Sequence, residues 1–161
     1  MSPLTADLVD AHGDVVRGCD VQFRSFGGRA CFHGPVRTLQ VFEDNALVKQ
    51  TLSTPGNSAV LVIDGGASLR CCLLGDYLAA LGGKNGWVGV IVWGAVRDTI
   101  ALGALDFGVK ALGSNPLRPG KTGAGQLDVP VEFGGAVFRP GEWVYSDADG
   151  IVVSDRSLPI Q

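Results

Sequence analysis

Two short segments concentrate the residues of this chain that can do chemistry. Gly94-Ala95-Val96-Arg97-Asp98 follows an apolar run, Gly75-Asp76-Tyr77-Leu78 opens a helical pattern, and twenty residues separate Asp76 from Arg97. A carboxylate can hold a hard divalent cation, and a guanidinium can fork onto a carboxylate or a developing oxyanion. The first turn of a helix adds N–H groups that have no partner within the helix. Together these suit a small anionic keto acid. Taken singly, Asp76 and Asp98 read equally well as helix caps, and Arg97 as a surface charge paired with either. Their convergence favours a site, because only 18% of the chain is charged and the Trp93-Gly94-Ala95-Val96 stretch before them is apolar.

The elements needed to position them can be read from periodicity. Residues 59–64 form an unbroken apolar run, as expected of a parallel strand covered on both faces. Residues 76–81 predict a short helix with an acidic start, stopped by Gly82-Gly83, and residues 87–93 a second buried strand. A right-handed crossover then places the loops at 64–76 and 94–98 on one carboxyl edge, where open α/β sheets bind ligands. Residues 68–74 fit neither period. Upstream, residues 5–11 predict a short helix with Thr5 as N-cap. Alternation over 21–26 and 36–42 predicts two strands around a loop, and Asp44-Asn45 caps a helix through Leu52. Downstream come a helix over 99–105, a strand over 109–112, and hairpins across Gly134-Gly135 and across residues 147–150. The reading is an α/β chain, one domain over residues 1–161, whose β-rich C-terminal third packs onto the α/β part.

Composition narrows the class. With 24 Gly and 8 Pro among 161 residues, many tight turns are implied, while 46% hydrophobic residues supply one core. Mean hydropathy is +0.25, yet no uncharged run is long enough to span a bilayer. The net charge of −3, with basic residues scattered singly, argues against nucleic acid as a direct ligand. Residues 1–5 lack a basic segment followed by an apolar one, so the expected location is cytoplasmic. Cys19, Cys31, Cys71 and Cys72 contain no C-x-x-C pair and read as reduced thiols.

Eight segments together resemble the RraA-like proteins, a family named for a regulator of RNase E activity that includes the 4-hydroxy-4-methyl-2-oxoglutarate aldolases. They are Thr5-Ala-Asp-Leu-Val-Asp, Phe26-Gly-Gly-Arg-Ala, Phe42-Glu-Asp-Asn-Ala-Leu-Val, Val60-Leu-Val-Ile-Asp-Gly-Gly, Leu73-Leu-Gly-Asp-Tyr-Leu-Ala, Gly94-Ala-Val-Arg-Asp, Lys110-Ala-Leu-Gly-Ser-Asn-Pro and Tyr145-Ser-Asp-Ala-Asp-Gly. The resemblance implies a swivelling β/β/α fold and a homotrimer, or a dimer of trimers, with sites at subunit contacts. It also implies a class II, metal-dependent pyruvate aldolase that decarboxylates oxaloacetate. Carried over by position, Asp98 binds a divalent cation, Mg2+ or Mn2+, and Arg97 binds substrate. Gly75, Asp76, Tyr77 and Leu78 line the substrate-carboxylate pocket with backbone N–H groups, and Asp76 is the first acid of the family's D-x20-R-D signature. The expected chemistry is Lewis-acid stabilisation of a pyruvate enolate, with Arg97 on the same oxyanion and a water held by Asp76 or Asp98 carrying the proton. Family members named as RNase E regulators include some that lack the acid after the arginine; Asp98 keeps this chain on the catalytic side.

Rival readings follow from other residues. A non-catalytic regulator that binds a ribonuclease has no need of Asp98. A class I aldolase would use Lys110 as a Schiff-base lysine. Relatives have carried a menaquinone methyltransferase label, but no glycine-rich cofactor loop followed by an acid after a second strand is present. His12 and His33 sit in unpatterned contexts, and residues 147–150 lack the closing ligands of a calcium loop. Gly120-Lys121-Thr122 matches only the end of a phosphate-loop pattern and reads as a mobile surface loop.

Overall fold

In chain order the elements are α1 (Thr5–His12), β1 (Val16–Cys19), β2 (Arg24–Ser25), β3 (Phe32–Gln40), α2 (Ala46–Leu52), β4 (Val60–Asp64), β5 (Cys72–Leu74), α3 (Asp76–Lys84), β6 (Gly89–Val96) and α4 (Thr99–Gly103). β7 (Gly108–Ser114), β8 (Gln126–Leu127), β9 (Val131–Phe133), β10 (Ala136–Phe138), β11 (Trp143–Asp147) and β12 (Gly150–Ser154) follow. These come from a computed structural model that describes residues 4–159. Residues 1–3, part of the stretch inspected for a leader, and residues 160–161 lie outside the described residues. No helix among those described is long and apolar enough to cross a membrane.

β3, β4, β6 and β7 run parallel in that order. The unbroken apolar run of β4 is explained by its period of two, which sends successive side chains to opposite faces. Leu61 and Ile63 join Val48, Leu52, Leu78 and Leu102 on the helical side, whereas Val60 and Val62 join Phe133, Phe138, Val144 and Val153 on the other. The second face is closed by the β9–β10 hairpin, whose Phe133 stacks on Trp93 with ring centres 5.1 Å apart. β3 bridges two sheet regions. Its first half pairs antiparallel with β11, and its second half pairs parallel with β4. The C-terminal strands thus extend the same mixed sheet, with β12 and β1 beyond β11.

Several expectations need correction. Thr5 does not cap α1; the cap position is Leu4, and the Thr5 N–H and hydroxyl both donate to the Asp147 carboxylate at 2.7 Å. A distant acid thus satisfies the helix start. α3 runs through Gly82-Gly83 to Lys84, because Gly82 lets the helix lie against Leu52 and Phe107; the chain turns at Gly86, φ +90. The first of the two upstream strands shrinks to Arg24–Ser25, and the second begins at Phe32, before Gly34-Pro35. Residues 94–96 are not loop but the end of β6, which bulges between Val92 and Ala95. The Gly134-Gly135 turn has φ of 61 and 75, and both hairpins form as read.

Candidate active site

The stretch with no readable period turns out to assemble the site. β5 pairs in parallel with the last residues of β6, Cys72 beside Ala95 and Leu74 beside Val96, and the Arg97 N–H donates to the Leu74 carbonyl at 3.0 Å. That pairing sets Gly75 directly against Asp98, so closely that a Cβ on Gly75 would overlap Oδ2.

Asp98 sits in left-handed backbone, φ 58 and ψ 44, a conformation aspartate tolerates better than most residues. The consequence is directional. Its carboxylate makes no cap bond to its own helix α4; Oδ2 instead accepts the Asp76 N–H at 3.2 Å, at the start of α3. The first bond inside α3 is from the Ala79 N–H to the Gly75 carbonyl, so the amides of Tyr77 and Leu78 are free of helical partners. The Arg97 guanidinium is held between Asp98 Oδ2, 3.9 Å from Nε, and the Pro116 carbonyl, 3.3 Å from Nη1. Arg97 and Asp98 side chains are each a little over one-third exposed, enough for a ligand to reach them.

Gly75, Asp76, Tyr77, Leu78, Arg97 and Asp98 all line one cavity of about 370 Å3. So do Asn45, Lys49, Cys72, Arg118 and Lys121, none of which the sequence singled out as site residues. For Arg118 and Lys121 the reason is the segment read as a mobile loop, which is firmly strapped. Buried Asp44 accepts bonds from the Thr122 N–H at 2.6 Å, the Thr122 hydroxyl at 2.8 Å and the Gly123 N–H at 3.1 Å. The Gly120 carbonyl accepts the Asn45 N–H at 3.1 Å, and the Gly120 N–H donates to the Glu43 carbonyl at 2.8 Å. Burial alone would raise the Asp44 carboxyl, but these bonds outweigh it and hold the group below the ordinary carboxylate range. Lys121 Nζ donates to Asn45 Oδ1 at 3.1 Å, and Asn45 Nδ2 donates to the Leu73 carbonyl at 3.3 Å. The Cys72 thiol is pushed up by burial, more than the nearby Arg97 charge draws it down, so it is not a ready nucleophile.

No group of three or more His, Cys, Asp and Glu that could hold a metal occurs among the described residues. Mg2+ and Mn2+ are commonly bound by one or two carboxylates, the remaining positions going to water and substrate oxygens. Asp98, with Asp76 beside it, fits an ion held in that manner.

The rival residues lie elsewhere. Lys110 is 3% exposed on β7, its Nζ donating to the Asp147 carbonyl at 2.7 Å, and it does not line the Arg97–Asp98 cavity. Burial lowers its pKa more than Asp147 and Cys31 raise it. His33 stacks on Tyr145 with centres 5.6 Å apart, and its pKa is lowered by burial. Neither histidine faces the cavity. A larger, shallower groove of about 510 Å3, lined by Gln40, Phe42, Asp64 and Gly125 among others, contains no cation.

Residues 5–153 match the family described as RraA-like: Aldolase/RraA. A protein of Alkalilimnicola ehrlichii named "Putative 4-hydroxy-4-methyl-2-oxoglutarate aldolase" is 54% identical over 98% of each chain. One of the same name from Aromatoleum aromaticum is 54% identical over 96% of this chain and 97% of its own. A crystal structure from Geobacillus kaustophilus, described as an S-adenosylmethionine: 2-dimethylmenaquinone methyltransferase, superposes with a TM-score of 0.95 at 46% identity, covering 96% of both chains. The Thermus thermophilus structure described as the RNA-processing inhibitor RraA gives 0.94 at 43% identity, covering 99% of this chain and 96% of its own.

Proposed function

The chain belongs to the RraA-like aldolase family, and from that premise we propose that it is a class II, divalent-cation-dependent pyruvate aldolase. It cleaves 4-hydroxy-4-methyl-2-oxoglutarate to two pyruvates and decarboxylates oxaloacetate. The observation that supports this most is the gathering of Arg97, Asp98, Asp76 and the amides of Tyr77 and Leu78, which have no partner among the described residues, around one cavity.

The Tyr77 and Leu78 N–H groups, at the positive end of α3, receive the carboxylate next to the keto group. Asp98 would hold a divalent cation, which would supply Lewis acidity toward the keto oxygen. Arg97 places its guanidinium where negative charge grows on that oxygen as the C3–C4 bond breaks. Asp76 orients the water that carries the proton away from the C4 hydroxyl. Both reactions break C3–C4 and leave the electron pair on C3 as the enolate of pyruvate, one releasing pyruvate and the other carbon dioxide. One site therefore serves both.

The same reading includes a single domain over residues 1–161 with the family's swivelling β/β/α arrangement, a cytoplasmic setting, and a homotrimer or dimer of trimers. Exposed Phe42, Leu117 and Ile100 are candidates for its contacts. A second reading, a protein-binding regulator of an RNase E-type ribonuclease, is favoured by the likeness to the Thermus thermophilus inhibitor structure. The net charge of −3 would direct such a role toward a protein surface rather than RNA.

The test is pyruvate release from a panel of 2-oxo acids by the purified protein. Chelator should abolish it, and added Mg2+ or Mn2+ should restore it. Asp98→Ala should stay folded and lose turnover. Chelator-resistant activity, or wild-type activity in a folded Asp98→Ala protein, rules out the metal-dependent mechanism.

A further inference from the structure

Aldol cleavage needs two proton transfers. One proton leaves the C4 hydroxyl through the water that Asp76 orients; another must reach C3, because the enolate becomes pyruvate only when that carbon gains a proton. An acid side chain that holds its proton and lies against the carbon meets such a need. The cavity wall has few free groups of that kind. Arg97 and Arg118 are guanidiniums, which keep their protons. Lys121 Nζ donates to Asn45 Oδ1, and Lys49 Nζ stands over the ring of Tyr77, a residue 64% exposed at the rim. Cys72 differs from all of these. It is 2% exposed, lies on β5 beside Ala95 and lines the cavity. Its sulfur has no hydrogen-bond partner among the described residues, where Cys19 carries the single thiol hydrogen bond. The charges acting on its thiol are those of Arg97, Asp98 and Lys121, which line the same cavity, whereas Cys71 is acted on by Glu43 and Arg70 outside it. Burial keeps the Cys72 thiol in its protonated form.

We infer that Cys72 is a catalytic acid that delivers the proton to C3 of the enolate. The inference rests on the aldolase reading and adds a residue to it. The S–H bond breaks as the C3–H bond forms: the enolate supplies the electron pair of the new bond, and the S–H pair stays on sulfur. The thiolate so formed is favoured by the charges of Arg97 and Lys121 and regains a proton from cavity water. In aldol cleavage that water carries the proton taken from the C4 hydroxyl, and in decarboxylation the proton comes from solvent.

Run backwards, the step exchanges the methyl hydrogens of pyruvate with solvent, which proton NMR follows in D2O with Mg2+ and the whole protein. Cys72→Ala and Cys72→Ser should each slow this exchange about 100-fold, since an alcohol is too weak an acid to replace the thiol. Carbon dioxide leaves oxaloacetate before C3 is protonated, so its release in a single turnover should stay within about threefold of wild type in both variants. A merely structural residue would slow both. Cys71→Ser is the control and should alter neither. Thermal melts verify each fold, and serine, close to cysteine in size, serves should alanine loosen β5. Exchange within about twofold of wild type in a folded variant overturns the assignment, as does parallel loss of exchange and of carbon dioxide release. A wild type that releases carbon dioxide but never exchanges pyruvate also overturns it and leaves the aldolase reading standing. One that does neither removes that reading, and the acid with it.

Discussion

Adding one methyl group at Gly75 should switch off the chemistry and leave the fold standing. The Gly75 backbone is extended, φ −133 and ψ −166, which alanine adopts without strain. Its Cβ, however, would overlap Asp98 Oδ2, and ordinary contact begins only at 3.4 Å, so the carboxylate has to retreat by about 1 Å. It can do so cheaply, because the Asp98 side chain is 39% exposed and what it loses is one 3.2 Å bond from the Asp76 N–H. We therefore expect Gly75→Ala to cost under about 1 kcal/mol of stability, or no more than about 4 °C in Tm. A misplacement of about 1 Å in a catalytic group costs on the order of 100-fold in rate, so kcat/KM for pyruvate release should fall by that factor. Gly18→Ala is the control, since a Cβ there meets nothing within 4 Å and should alter neither quantity. The assay is coupled detection of pyruvate from oxaloacetate, corrected for spontaneous decarboxylation, beside a thermal melt. A folded Gly75→Ala protein with kcat/KM within about twofold of wild type would refute the claim that Asp98 placement governs turnover. Loss of activity together with a collapse in Tm would show that Gly75 serves the fold instead.

Arg97→Lys keeps the charge but loses the planar fork, and should lower kcat/KM by about 10- to 100-fold; near-normal kinetics would make Arg97 a surface residue. Asp147→Ala should cost about 3 kcal/mol at neutral pH, because it leaves the Thr5 amide and hydroxyl and the Asp149 N–H without their acceptor. Burial alone would raise the Asp147 carboxyl, but bonds from Thr5, Asp149 and Gly150 outweigh it and hold the group low. Its stabilisation is thus present above the ordinary aspartate value near 3.9 and is lost as pH falls through the lower folded value. The gap in Tm between wild type and variant should therefore narrow from pH 7 to pH 3, and a constant gap would contradict this account. Borohydride added with pyruvate should leave Lys110 unmodified by mass, since that amine is buried against the Asp147 carbonyl; a pyruvyl adduct there would restore imine chemistry as a contender.

What was legible in the sequence is what depends on neighbours along the chain. The apolar run of β4 and the Gly134-Gly135 and 147–150 hairpins are local patterns, because side-chain period and positive φ are properties of a few consecutive residues. They gave the α/β class and the β-rich last third. The acid and arginine types in Asp76 and Arg97-Asp98 likewise announced a chemistry. Only the tertiary structure decided how they meet. β5 is three residues long, too short to show a period, yet its pairing with β6 is what sets Gly75 against Asp98. Lys49, Arg118 and Lys121 enter the cavity from α2 and from a loop strapped by Asp44, 78 residues away from its partner Thr122 in the chain. Thr5 looked like a cap because a hydroxyl at a helix start usually accepts a bond; here Asp147 reaches it across 142 residues and makes it a donor. Partners so far apart leave no trace in spacing, since their meeting depends on the sheet order and on which buried polar group finds which. The sequence supplied the residue types, and the sheet determined where their charges converge.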